Sequence, residues 1–151
     1  IKIRPNHIKM GTLGKAYGSF GAYILSSKHI SEFLINRAKP LIYATSLSLY
    51  DTILAHNSFN YIQQNREFFI DEIAQRKKIL SLKLGYNVES LIGIVPVGDN
   101  EKVMQIKQNL RDNGFEVGAI REPTVKSAIL RVIARVAQST EDLKKLLDMV
   151  V

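Results

Sequence analysis

Residues 91–122 read "LIGIVPVGDNEKVMQIKQNLRDNGFEVGAIRE", and this stretch decides the fold of the second half of the chain. Its first part, "LIGIVPVG", is a short apolar run with β-branched members, which predicts a strand. Asp99 or Asn100 then provides a side chain that can cap a helix, and Gly114 is placed to end that helix. The closing "FEVGAIRE" predicts a further strand. The stretch therefore predicts a strand, a helix and a strand in succession.

The sequence that follows adds one more strand and one more helix. Residues 127–137, "SAILRVIARVA", alternate apolar and basic side chains, so Arg131 and Arg135 are expected on the face opposite the apolar residues. "STEDLKKLLDMVV" predicts a terminal helix that Ser139 caps, with acidic residues in its first turn. Residues 91–151 are therefore predicted to form a small α+β domain of order βαββα. The apolar face of its last strand comprises Leu130, Val132, Ala134 and Val136.

The region before this domain, residues 48–84, has the longest helical pattern in the chain and ends at Gly85. We assign 47–90 as a connecting helical region whose apolar stripe packs against a sheet or a partner subunit. The basic run from Arg76 to Lys78 is interpreted as a solvated face of this helix. The residues of the stripe are Tyr50, Ile53, Leu54, Phe59, Ile62, Phe69, Ile73, Leu80 and Leu84.

The first 46 residues read as the end of another domain. "GAYILS", residues 21–26, predicts a buried strand, and apolar residues at helical spacing predict a helix over about 27–38 that Pro40 closes. "LIYATS", residues 41–46, looks like another strand or an extended turn.

Composition excludes several classes of function. The chain of 151 residues, 46% of them hydrophobic, has no apolar run near the roughly 20 residues that span a bilayer, so we expect a cytoplasmic protein with no membrane partner. It has no cysteine, and its three histidines lack metal-ligand spacing, so no metal site is predicted. The net charge of +7 comes without interleaved aromatic and basic residues, so nucleic acid is not an expected partner.

The positive charge is concentrated near the start of the chain. Before residue 41 there are seven basic residues, Lys2 among them, opposed only by Glu32. This region is suited to attract a small anionic ligand, although a solvated face accounts for it equally well.

The most unusual stretch is "GTLGKAYGSFG", residues 11–21, in which one lysine stands among four glycines. Glycine allows the backbone to approach a ligand closely. A phosphate-binding P-loop is excluded, because Lys9 stands where its first glycine belongs and Ala16 where its hydroxyl belongs. The glycine spacing also departs from the dinucleotide fingerprint. Lys15 is instead suited to form a Schiff base with a carbonyl cofactor, and Thr12 to contact a phosphate on it. Composition alone is equally compatible with a solvated lysine in a turn.

Residues 11–48, "GTLGKAYGSFGAYILSSKHISEFLINRAKPLIYATSLS", resemble the segment around the cofactor lysine of the α-oxoamine synthases. These are fold-type I enzymes that use pyridoxal phosphate. "PVGDNEKVMQIKQNLRDNGFEVGAIREPTV" and "AILRVIARVAQSTEDLKKLL" resemble the carboxy-terminal domain of the same family. The resemblance implies an α/β fold, in which 1–46 are the end of the fold-type I large domain, 47–90 connect, and 91–151 form the small domain.

The family pattern implies a role for five residues of this sequence. Lys15 would be the catalytic lysine that binds pyridoxal phosphate, and Thr12 would contact the cofactor phosphate. Thr45 matches a hydroxyl residue that reaches the phosphate from the other subunit, which implies a homodimer with a shared active site. Arg131 matches the first arginine of the family's R-L-R strand, which grips the substrate carboxylate. Arg121 matches an arginine near the site entrance.

The reaction that the resemblance implies joins an amino acid to an acyl-CoA with loss of carbon dioxide. The family's histidine that stacks on the cofactor ring, and the aspartate that pairs with its nitrogen, lie upstream of the lysine and outside this sequence. Since the chain opens on Ile1, we expect a partial and, taken alone, inactive piece of the enzyme. The sequence departs from the family pattern near Arg131, at Lys126, Ala128 and Ile133, so it does not identify the substrates. A non-catalytic interaction module is the alternative function.

Overall fold

The computed structural model describes residues 4–151, so the basic residue Lys2 lies outside the described residues. Contacts divide the chain into two compact units, Ile1–Asn65 and Arg66–Val151. This grouping places the second half of the long helical region with the α+β unit. The division of the chain into 1–46, 47–90 and 91–151 stays a prediction.

The helices and strands follow one another in a mixed α/β order. In the first unit they are β1 (Ile8–Thr12), β2 (Ala22–Ser26), α1 (Lys28–Arg37), α2 (Lys39–Ile42) and α3 (Leu49–Gln64). In the second unit they are α4 (Arg66–Leu84), β3 (Ile92–Gly98), α5 (Asn100–Asp112), β4 (Gly118–Ile120), β5 (Ala128–Ile133) and α6 (Thr140–Asp148).

The second unit confirms the predicted βαββα order. Its three strands form an antiparallel sheet in the order β3, β5, β4. The predicted caps are present: the Asp99 side chain accepts a hydrogen bond from the backbone N–H of Lys102, and that of Ser139 accepts one from Asp142. Each cap satisfies a backbone donor that the first helical turn leaves free, which fixes where α5 and α6 begin.

The predicted alternation of β5 is also confirmed. Leu130 and Val132 are almost fully buried, whereas Arg131 between them is exposed. One face of the sheet therefore closes the core, and the other presents Arg131. The core of this unit consists of Leu80, Val88, Val103, Leu110, Val117, Ala128, Leu130, Val132, Ala134, Leu143, Leu146 and Leu147.

The interpretation of Arg76 as part of a solvated face is wrong. Only 3% of Arg76 is exposed, and its guanidinium joins α4 to the chain that leaves β5. It donates to the backbone carbonyls of Arg135, Val136 and Gln138 at 3.0, 2.8 and 2.6 Å and pairs with the carboxylate of Glu72. The planar group with five N–H donors suits this cluster of carbonyls, which no helix or strand otherwise satisfies.

Tyr86 closes part of the free edge of β3. Its hydroxyl accepts a hydrogen bond from the backbone N–H of Ile94 at 2.7 Å and donates one to the carbonyl of the same residue at 3.0 Å. The backbone N–H and carbonyl of Ile94 point away from β5, and the Tyr86 side chain therefore pairs both of them.

The first unit confirms the strand predicted within 21–26 and the helix predicted within 27–38, as β2 and α1. The expectation that this strand is buried is wrong, because Ile24 and Leu25 are each about half exposed in a sheet of only two strands. The expectation of a strand or an extended turn for 41–46 is wrong in its first half, where Leu41 and Ile42 belong to α2. Pro40 is the reason, because proline is tolerated in the first turn of a helix, where its missing N–H has no partner to lose. From Tyr43 to Ser48 the chain has no regular secondary structure.

The long helical region predicted for 48–84 is two helices that meet at Asn65. Of its apolar stripe, Leu80 is fully buried in the core of the second unit, whereas Ile53 and Phe59 on α3 are about half exposed. Across residues 4–151, none of the helices combines the length and the apolar character that crossing a membrane requires.

Candidate functional site

Lys15 lies on the loop of an antiparallel hairpin formed by β1 and β2. The paired strands end where Thr12 lies opposite Ala22, and residues 13–21 connect them. The backbone N–H of Leu13 donates to the carbonyl of Gly21 at 2.8 Å, which closes the base of this loop. The hairpin therefore fixes both ends of the segment that carries the lysine.

Within the loop, Lys15 opens a tight turn. Its carbonyl accepts a hydrogen bond from the N–H of Gly18 at 3.0 Å, and Gly18 has a φ of +60°, which glycine adopts without steric cost. The N–H of Ser19 then donates to the carbonyl of Leu13 at 3.0 Å. The Lys15 side chain is exposed, and among the described residues its ammonium group makes neither a hydrogen bond nor an ion pair.

The strand β1 was not predicted from the sequence, although a signal for it was present. Ile8 and Met10 alternate with Lys9, which is the two-residue period of a strand. The strand is only five residues long, and its fourth residue is Gly11, whose missing side chain leaves room for the ring of Tyr23. A Cβ atom at position 11 would lie 2.3 Å from Cζ of that ring.

Two threonine hydroxyls accompany the lysine in the first unit. Thr12 ends β1, and Thr45 lies in the irregular segment before α3, two residues from Leu47, whose side chain packs on Gly21. Both threonine side chains are exposed and have no hydrogen-bond partner in the described part of the chain. A free amine with free hydroxyls is the donor set that a cofactor bearing an aldehyde and a phosphate requires, so the residues present fit pyridoxal phosphate.

Two contacts tie the lysine loop to α3. The Ser19 hydroxyl donates to the backbone carbonyl of Asp51 at 2.6 Å, and the ring of Tyr17 stacks on that of Phe59 with centroids 6.4 Å apart. Nothing in the hydrophobic pattern pointed to Ser19 or Tyr17, because each contact joins residues more than thirty positions apart. The beginning of α3, in contrast, was readable from Ser48 and Asp51, which have capping-box spacing.

Gly21→Ala is expected to destabilise the first unit by about 2–4 kcal/mol. Gly21 has a φ of +114°, and an added Cβ would lie 2.7 Å from the methyl carbons of Leu47. Gly18→Ala is the matched control, because Gly18 also has a positive φ but no atom lies within 4 Å of an added Cβ. It should cost only about 1–2 kcal/mol. Urea unfolding of both variants measures the difference, and equal losses would contradict the Leu47 contact.

The two candidate arginines lie in the second unit. Arg131 is in the middle of β5, opposite Ile94 on β3 and Gly118 on β4. An added Cβ at Gly118 would lie 3.4 Å from Nε of Arg131, so the guanidinium extends across β4 at that glycine. The apolar outer face on which it lies includes Ile92, Ile94 and Ile133, each exposed by about two fifths. Arg131 therefore places a cation at the centre of an apolar surface.

Arg121 lies in the turn that follows β4. Its carbonyl accepts hydrogen bonds from the N–H groups of Thr124 and Val125, and the N–H of the next residue, Glu122, donates to the Asn100 side chain at 3.3 Å. The start of α5 therefore holds this turn, while the Arg121 side chain itself is exposed. The structure describes the lysine and threonines in one unit and the two arginines in the other.

Comparisons with a family model and with curated proteins agree on the family of this chain. The family model described as aminotransferase class I and II matches residues 1–150. An 8-amino-7-oxononanoate synthase of Helicobacter pylori strain J99 is 36% identical over 146 residues, which cover 97% of this chain and 39% of that protein. The chain thus spans about two fifths of the length of the curated relatives that it matches.

Solved structures resemble the fold as well. The crystal structure of 8-amino-7-oxononanoate synthase from Francisella tularensis has a TM-score of 0.76 at 25% identity, covering 95% of this chain and 44% of that one. A serine palmitoyltransferase from S. paucimobilis, solved with a bound PLP–myriocin aldimine, has a TM-score of 0.77 at 22% identity. That match covers 94% of this chain and 38% of the other and supports the predicted fold-type I architecture.

Proposed function

The chain belongs to the class I and II aminotransferase family, and from that membership we propose that the protein is a pyridoxal-phosphate-dependent C-acyltransferase of biotin synthesis. It would condense L-alanine with a pimeloyl thioester and release carbon dioxide and the thiol, giving 8-amino-7-oxononanoate. The observation that carries this proposal is the 36% identity to the Helicobacter pylori synthase, which extends over nearly the whole chain, the Lys15 loop included.

The roles of the residues follow from their chemistry. Pyridoxal phosphate, when bound, supplies an electron sink for negative charge at the α-carbon of the amino acid. Nζ of Lys15 would hold the cofactor through its aldehyde and, as a free amine, would take the α-proton of the amino acid. The hydroxyl of Thr12 donates to the cofactor phosphate, and that of Thr45 does so from the partner subunit of a homodimer. We place this dimer in the cytoplasm, with which a sequence free of cysteine is compatible.

Arg131 would bind the carboxylate of the amino acid, with Arg121 near the entrance. A guanidinium can form two parallel hydrogen bonds with a carboxylate, and the apolar face around Arg131 limits competition from water. Arg131 donates no hydrogen bond to another described side chain, so its N–H groups are available to a substrate.

Arg131→Ala is expected to raise the KM for alanine by about ten- to a hundredfold, because a charge-assisted pair contributes roughly 1.5–3 kcal/mol. Arg135→Ala is the matched control, since Arg135 is exposed just beyond the same strand and its side chain makes neither a hydrogen bond nor an ion pair with the described residues. Steady-state kinetics with varied alanine measure the effect. Equal KM values for the two variants would remove Arg131 from the proposed substrate site.

The function is tested by an acyl-transfer assay on the protein at its natural length. The assay supplies pyridoxal phosphate with each pairing of alanine, serine or glycine with pimeloyl-CoA, palmitoyl-CoA or acetyl-CoA and detects the product by mass. The proposal expects 8-amino-7-oxononanoate from alanine and pimeloyl-CoA. A preference for glycine and acetyl-CoA would support the alternative of a glycine C-acetyltransferase. No product and no cofactor bound at Lys15 would instead support a non-catalytic interaction module.

A further inference from the structure

We propose that Ser19 and Tyr17 are positioning residues, which hold the Lys15 loop in place by tying it to α3. The inference rests on the proposed function only for the role of Lys15. The Lys15 side chain is exposed and makes neither a hydrogen bond nor an ion pair with the described residues, so its position depends on the loop backbone. The conformation of the loop backbone depends in turn on the contacts of the other loop residues.

The side chains of the loop divide by exposure. Lys15 and Ala16 are exposed, whereas Tyr17 and Ser19 are half-buried and contact α3. Ser19 uses both of its donors: its N–H bonds the carbonyl of Leu13 across the loop, and its hydroxyl bonds the carbonyl of Asp51 on the helix. A single residue therefore closes the loop and attaches it to the neighbouring helix.

The acceptor on α3 is itself fixed. The hydroxyl of Ser48 accepts a hydrogen bond from the N–H of Asp51 at 3.0 Å and donates one to the carboxylate of Asp51. This reciprocal capping sets the residue at which α3 begins and holds its first turn. The carbonyl to which Ser19 is bound therefore belongs to a well-defined end of a helix.

The stacked rings provide a second attachment farther along α3. Phe59 lies eight residues after Asp51, which is about 12 Å along a helix at 1.5 Å per residue. Two contacts separated by that distance prevent the loop from turning about a single hydrogen bond. The stacked pair is also worth more than the burial of its area, since aromatic rings attract each other in this arrangement.

The proposal is tested with Ser19→Ala and Phe59→Leu, the second of which changes a residue on α3 and leaves the loop sequence intact. Thr52→Val is the matched control: it also removes a hydroxyl-to-carbonyl hydrogen bond at the start of α3, but Thr52 bonds Ser48 rather than the loop. Ser19→Thr keeps the hydroxyl and should rescue. Urea unfolding of each variant first establishes that it is folded.

Two measurements are made on the protein at its natural length. Hydrogen exchange without cofactor follows residues 13–21, and borohydride trapping followed by mass analysis gives the rate at which Lys15 captures pyridoxal phosphate. Ser19→Ala should accelerate exchange of the loop and slow capture by about five- to tenfold each. Phe59→Leu should change both by about two- to tenfold. Thr52→Val and Ser19→Thr should stay within twofold of the parent.

The outcomes separate this inference from the proposed function. If the parent captures no pyridoxal phosphate at Lys15, the proposed function fails, and loop exchange in the cofactor-free variants still decides whether the attachment to α3 exists. If exchange accelerates while capture keeps its parental rate, Ser19 and Phe59 stabilise the loop without positioning Lys15, and the inference is overturned. Unchanged exchange in both variants overturns it as well.

Discussion

Lys15→Ala should abolish covalent capture of pyridoxal phosphate and lower turnover by about a thousandfold or more, because the same amine holds the cofactor and moves the α-proton. The lysine is exposed on a closed loop and makes neither a hydrogen bond nor an ion pair with the described residues. Its removal should therefore leave the free energy of unfolding almost unchanged. Mass analysis after borohydride reduction and a steady-state assay measure the two effects.

Two further variants give this prediction its controls. Lys15→Arg keeps the positive charge but lacks a primary amine, so it should fail to capture the cofactor as completely as the alanine variant. Lys9→Ala removes an exposed lysine on β1 of the same hairpin and should capture at the parental rate. Capture by the arginine variant, or by the alanine variant, would place the covalent attachment on another lysine.

Arg76→Met should lower the free energy of unfolding by about 3–5 kcal/mol, the range measured when one partner of a buried charge network is removed. Methionine fills much of the volume of the arginine stem but donates nothing to the carbonyls of residues 135, 136 and 138. These acceptors would then be poorly solvated, and the carboxylate of Glu72 would lose its ion-pair partner. Urea unfolding, followed by circular dichroism, gives the loss.

The matched control for Arg76 is two residues away. Lys78→Met makes a comparable change on the exposed side of the same helix, where the structure gives the lysine no partner, and should shift stability by no more than about 0.5 kcal/mol. Arg76→Lys should fall between the two, because an ammonium group has three donors and cannot match the planar fork of the arginine. A loss below about 1 kcal/mol for Arg76→Met would contradict the account of residues 135–138.

Elements that carry their own signals were predictable from the sequence. The βαββα order follows from the apolar runs, and the starts of α5 and α6 follow from Asp99 and Ser139, because a capping side chain acts within three residues of its own position. The face of β5 that bears Arg131 follows from strand alternation alone. Each of these features depends on neighbours in the sequence.

What the sequence could not supply are the contacts between distant residues. Arg76 in a run of three basic residues looks solvated until the chain after β5 brings three carbonyls to it, about sixty residues away. The hydrogen bond between Ser19 and Asp51 could not be predicted from the sequence either, because a serine in a glycine-rich loop belongs to no periodic pattern. The glycine-rich stretch and the resemblance to a family together pointed to Lys15 and Thr12, but the attachment of their loop to α3 required the structure.

The double hydrogen bond between Tyr86 and Ile94 has a consequence for how the protein behaves at high concentration. An exposed strand edge is a template on which other chains can add strands, and β3 is rich in β-branched residues that favour such growth. Because one phenolic hydroxyl already occupies both backbone groups of Ile94, an incoming strand would have to displace it before pairing there. We therefore expect Tyr86 to disfavour the addition of a strand at this position of β3.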